Sequence, residues 1–157
     1  MNETKKQYIL KVVFTTLAVI LVAGLGSVFV NIGMNWFNNL TKPSQWIPNF
    51  VIPLVWTIIY LSFIVILSLI LKSRNFTKKT LTLLILNGSL NVLWCLVFFA
   101  LNLTFIGNIV IIINLILSFY LIFDLFSYNK TFAYILSIYP IWISIATTLN
   151  LCLWILN

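Results

Sequence analysis

Five apolar stretches fill almost the whole of this 157-residue chain, and each holds about the 20 residues that a helix needs to cross a bilayer. They run over residues 8–30, 47–71, 80–101, 105–126 and 131–156. Backbone N–H and C=O groups find no water in hydrocarbon, so a spanning segment satisfies them internally as a helix. The expected fold is therefore all-α: one transmembrane domain over residues 1–157, built as a five-helix bundle. With 62% hydrophobic and only 7% charged residues, a water-soluble globular domain is excluded. The last three spans are joined by connections so short that they must be antiparallel neighbours. The one long connection, residues 31–46, carries Asn31, Asn35, Asn38, Asn39 and the turn Lys42-Pro43-Ser44.

The few charges sit at span ends and report topology. With the N-terminus inside, the inner side holds Lys5, Lys6, Lys11, Lys72, Arg74, Lys78, Lys79 and Lys130, and the outer side only Lys42. That bias places the N-terminus inside and the C-terminus and first connection outside. The net charge of +7 forms no basic face on a folded soluble module, so nucleic acid is not an expected partner. The front end resembles a signal peptide, but its apolar stretch is too long, and Ala23, Gly24, Gly26 and Ser27 read as sites of close helix packing. Cys95 and Cys152 form no C-x-x-C pair and read as packing residues. Without any histidine, a His-ligated haem or zinc site is excluded, and no cofactor is expected.

Chemistry-bearing residues fall in stripes. Asn87, Asn91, Trp94 and Phe98 share one face of the third span; Pro53, Trp56 and Tyr60 share one of the second; Tyr139, Trp142, Ala146 and Asn150 share one of the fifth. Amides and indoles aligned this way turn from lipid into the bundle. Trp56, Asn91, Trp94 and Trp142 lie roughly 13, 16, 11 and 20 Å below the outer span ends. The stripes thus converge in the outer half, and a pocket is expected there, lidded by the long connection. Pro53 is expected to kink the second span. Trp154 reads as an interfacial anchor at one side, Tyr8 and Tyr128 at the other. Asp124, the only acid within a span, is near enough to Lys130 to pair with it. No paired carboxylates, nucleophile with a base, or Gly-rich phosphate loop is present, so acid–base hydrolysis has no support.

Several segments together resemble the TspO/MBR family, also known as translocator or tryptophan-rich sensory proteins. They are Lys42-Pro43-Ser44, Trp46-Ile47-Pro48, Pro53-Leu54-Val55-Trp56-Thr57-Ile58-Ile59-Tyr60, Leu90-Asn91-Val92-Leu93-Trp94 with Phe98-Phe99, and Tyr139, Trp142, Ala146 and Leu149-Asn150. The resemblance runs from Trp36 to the C-terminus and departs from the family pattern in places. Gln45 intervenes before Trp46, a Pro-Pro pair is reduced to Pro48, and Pro140 follows Tyr139 where a proline usually precedes it. Asn87 replaces a common glutamine, and no basic residue follows Asn150 to complete a sterol motif.

The resemblance implies a five-helix homodimer that binds porphyrin-type tetrapyrroles and other flat hydrophobic molecules. Its pocket would draw on Trp36 and Trp46 near the lid, Trp56 and Tyr60, Asn87, Asn91, Trp94 and Phe98, and Tyr139 and Trp142. The ligand would stack on indoles and accept hydrogen bonds from the Trp56 N–H and the Asn91 amide. Two alternatives stand beside binding and sensing. One is a small-molecule transporter for tetrapyrroles or lipid-like compounds, although internal repeats and midplane ionisable groups are missing. The other is oxidative porphyrin breakdown, for which the resemblance implicates Trp56 and Trp142. Membrane lipid is the remaining expected partner, and the Ile-, Asn- and Lys-rich composition points to a bacterial cytoplasmic membrane.

Overall fold

The computed structural model describes residues 3–44, 46–73 and 77–157, and leaves aside the side chains of residues 3, 4, 72 and 73. Gln45 and Arg74, and the side chain of Lys72, therefore lie outside the described residues. The chain forms α1 (Glu3–Asn39), α2 (Val51–Ser73), α3 (Lys78–Cys95), a π-helical turn (Leu96–Ala100), α4 (Thr104–Tyr128), α5 (Lys130–Leu136) and α6 (Ile138–Leu156). Five helical stretches are long and apolar enough to span a membrane. Around the bundle, α1 lies between α2 and α3, α4 packs on α3, and the α5–α6 pair closes the ring between α4 and α2.

The first helix is longer than the sequence pattern led us to expect. It continues through Asn31 to Asn39, so the irregular connection covers only residues 40–50 rather than 31–46. The asparagines do not break it because they all face outward, and Asn39 Nδ2 donates to Asn35 O at 3.0 Å. On the opposite face Gly33 and Phe37, at i and i+4, are buried and hold the turn in place. Tyr8, expected as an interfacial anchor, instead ties α1 to α2 by donating its hydroxyl to Ser68 O at 3.2 Å.

The second helix starts at Val51, four residues later than expected, and this removes the proposed kink. Pro53 falls in its first turn, where a backbone N–H has no helical partner to lose. In the fifth span the helix is interrupted at Ser137. Pro140 lacks the N–H that would bond the carbonyl of Leu136, and Ser137 Oγ donates to Ala133 O at 2.7 Å across the break. Asn129 caps α5 by accepting the Phe132 N–H at 3.2 Å.

The π turn has no counterpart in the sequence reading. Leu101 N donates five residues back to Leu96 O at 2.9 Å, and Asn102, at φ 58°, ends the segment. The wider turn buries three consecutive side chains, Val97, Phe98 and Phe99, which an α-helix would spread over three directions. It also brings the Phe99 backbone against Gly33 of α1.

At the basic end, Asp124 pairs with Lys79 at 2.9 Å and accepts from Thr80 Oγ1 at 2.6 Å, rather than turning to Lys130. Thr80 is buried, whereas the Lys79 side chain is 70% exposed. The hydroxyl contact therefore outweighs the solvent-screened ion pair. Asp124→Ala is expected to lower stability by about 1–2 kcal/mol, and Lys79→Ala by less than about 1 kcal/mol. Thermal unfolding in detergent checks the order; equal losses would place the weight on the ion pair instead.

Candidate functional site

A cavity of about 1170 Å³ opens between α1, α2 and α3 and reaches Tyr139 of α6. Ligand sites commonly enclose about 300–1,000 Å³, so the space accommodates a large hydrophobic molecule. It is open to the bundle surface, because Phe14 and Leu10, both in its wall, are 74% and 70% exposed. Four aromatic rings stand at its inner wall, those of Trp56, Tyr60, Phe63 and Tyr139. Trp56 and Tyr60, one helical turn apart on α2, stack at 5.6 Å with planes 26° apart, and Trp56 meets Tyr139 edge-on at 6.4 Å.

Polar groups at that wall are few and incompletely paired. Asn91 Nδ2 donates to Tyr60 Oη at 3.1 Å. Asn87 Nδ2 donates to Leu83 O at 2.8 Å and Leu117 O at 3.3 Å. Neither Asn87 Oδ1 nor Asn91 Oδ1, both buried, has a partner. Both amide hydrogens of Asn87 are therefore engaged and it has an acceptor left to offer, whereas Asn91 keeps one N–H as well as its acceptor. One of the two Asn91 N–H groups, the donor expected to meet a ligand, goes to Tyr60 Oη, and the other stays free. Tyr139 donates away from this wall, to Asn114 Oδ1 of α4 at 3.2 Å, which fixes its ring edge toward Trp56.

Beneath the 40–50 connection aromatic side chains pack on one another. Trp94 stacks on Phe98 at 6.0 Å, Trp36 meets Phe98 edge-on at 5.6 Å, and Phe99 bridges Phe37 and Trp94 at 5.2 and 5.6 Å. Trp46 packs on Phe37 at 5.9 Å, and Lys42 Nζ lies 4.9 Å above the same ring. The connection is fastened at its other side too. Thr41 N donates to Asn157 Oδ1 at 2.9 Å, and Asn157 Nδ2 returns a bond to Thr41 O at 3.1 Å. The indole N–H groups of Trp46, Trp94 and Trp142 are buried without partners.

A model of the TspO/MBR family matches residues 14–155, nearly the whole chain, and five helices of span length accompany the match. The chain belongs to the TspO/MBR family. It is an integral, multi-pass membrane protein, and no curated protein matches it.

Within this TspO/MBR bundle the ten residues singled out from the sequence divide into two groups. Trp56, Tyr60, Asn87, Asn91 and Tyr139 wall the cavity. Trp36, Trp46, Trp94, Phe98 and Trp142 are not in its wall: the first four pack in the aromatic cluster, and Trp142 is buried in the core that Tyr139 and Trp56 also join. The stripe on α3 splits by direction rather than height: Asn87 and Asn91 are in the cavity wall together with Val92, Leu93 and Leu96, while Trp94 and Phe98 stack on each other outside it. Trp154 is 42% exposed and packs on Phe105 at 5.4 Å. Sequence reasoning missed the whole α1 wall, from Leu10 to Phe29. That helix is apolar on every side, so no periodicity marked the face that meets the cavity.

Proposed function

We propose that this protein is a membrane receptor or sensor that binds porphyrin-type tetrapyrroles and other flat hydrophobic molecules in the α1–α2–α3 cavity. Membership of the TspO/MBR family supports the coarser role, a membrane sensor or transporter. The observation that carries the finer reading is the coincidence, on one wall, of the Trp56–Tyr60–Tyr139 rings and the unpaired oxygens of Asn87 and Asn91. A flat ring stacks or lies edge-on against those aromatics. A protonated carboxylic acid side arm on such a ring donates its O–H to an acceptor that otherwise stays buried and unpaired at a cost of about 1–3 kcal/mol.

Titration with protoporphyrin, followed by quenching of tryptophan fluorescence, tests this directly. Saturable binding is expected, and Asn91→Leu is expected to weaken it about tenfold, the size of one buried hydrogen bond. Uptake that rises linearly without saturating, or that is indifferent to Asn91→Leu, would overturn the reading.

Binding is favoured over breakdown by the placement of the two tryptophans implicated in degradation. Trp56 is in the cavity wall and Trp142 is not, so the two do not share a ligand-facing surface. Under illumination in air, bound porphyrin is expected to bleach no faster than porphyrin in empty detergent. Protein-dependent bleaching that Trp142→Phe abolishes would favour the enzymatic alternative.

A further inference from the structure

The cavity is longer than the aromatic wall requires. The close approaches of Val22 to Gly88, Gly26 to Cys95 and Gly33 to Phe99 advance together along both chains, so α1 runs parallel to α3. Lys11 precedes Val22 by eleven residues and Asn91 follows Gly88 by three. At 1.5 Å per residue, roughly 21 Å separates the level of Lys11 from that of Asn91. One leaflet of hydrocarbon is about 15 Å deep, half of the ~30 Å core. The cavity therefore runs from the basic end of the bundle to beyond the depth of one leaflet.

Its lower part has a different character from the aromatic wall. There it is lined by Leu10, Phe14 and Ala18 of α1, Leu71 of α2, and Leu81 and Leu84 of α3. None of these offers a polar group or a flat ring pair. Among the described residues Lys11 is the one charged residue in the cavity wall, and it stands at the mouth. Lys5, Lys6 and Lys78, all exposed, surround the same end, while the acid described there, Asp124, is already held by Lys79 and Thr80. The mouth is electropositive, the tube behind it is apolar, and the side is open to lipid.

We infer that the lower cavity is a seat for an anionic phospholipid, with one acyl chain lying between α1 and α3 and its headgroup phosphate held by Lys11. Charge complementarity selects the headgroup, and the length and apolarity of the tube select the chain. The lipid would fill the part of the cavity that a macrocycle at Trp56 and Asn91 leaves uncovered. The inference does not depend on tetrapyrrole binding, which engages the other end.

The test is native mass spectrometry of full-length protein released from vesicles of equal parts phosphatidylglycerol and phosphatidylcholine. One phosphatidylglycerol per chain is expected to survive release, in preference to phosphatidylcholine. Lys11→Gln, at an exposed position, is expected to lower its retention about fivefold, the equivalent of ~1 kcal/mol for one basic residue at an anionic surface. Lys5→Gln is expected to have a smaller effect, and Ala18→Trp, which fills the tube, to abolish retention of either lipid. Equal retention of both lipids, or phosphatidylglycerol retention that survives both Lys11→Gln and Ala18→Trp, would mean that only surface lipid is carried and would overturn the inference. Protoporphyrin titration of the same Lys11→Gln protein separates the two sites: unchanged binding there with lost lipid is the expected pair.

Discussion

Replacing Gly33 by alanine is expected to cost the protein about 3 kcal/mol or more, enough to unfold the half of the bundle around the π turn or force α1 away from it. A Cβ at Gly33 would lie 2.1 Å from the carbonyl oxygen of Phe99 and 2.4 Å from its carbon. Those atoms are backbone of the π turn, so no side-chain rotation relieves the contact, and a helix of 37 residues would have to shift. The matched control is Gly24→Ala, where an added Cβ meets nothing within 4 Å. There alanine should be neutral or stabilising by up to about 1 kcal/mol through helix propensity. Thermal unfolding of the two variants in the same detergent decides the matter. Equal melting temperatures would contradict the close packing of α1 on the π turn.

Trp56→Ala is expected to raise the Kd for protoporphyrin about thirtyfold, the loss of an aromatic anchor worth ~2 kcal/mol. The indole is in the cavity wall and stacked on Tyr60, so its removal takes away contact area and the ring that orients its neighbour. Trp142→Phe is expected to leave the Kd within about twofold, because Trp142 is buried outside that wall. Its cost falls on stability. The contrast carries the prediction: a ligand seated in the aromatic cluster would reverse the two results.

Much of the fold was legible because its causes are local. Span number and helical class followed from apolar length, since a bilayer leaves a backbone few ways to satisfy itself. The buried state of Asn87, Asn91, Tyr139 and Trp142 followed from helical periodicity. Other features depended on partners far along the chain. Asn31, Asn35, Asn38 and Asn39 read as a loop, yet Gly33 and Phe37 on the opposite face pack on the π turn and keep the segment helical. The π turn left no mark in composition, and without it the stripe through Asn91, Trp94 and Phe98 appeared to face a single pocket. Depth along each span said nothing of which aromatic residues were already packed on one another. Hence the ten residues expected to share one pocket divide, five in the wall of the α1–α2–α3 cavity and five outside it.

The most direct measurement of where the ligand sits is photo-crosslinking with a diazirine-bearing tetrapyrrole, followed by peptide mapping of the labelled residues. Label on α1 near Phe29, on α2 at Trp56 and Tyr60, and on α3 at Asn91 and Val92, residues that all face the cavity, is the expected result. Label confined to Trp36, Trp46 and the 40–50 connection, with the cavity wall unmodified, would contradict it.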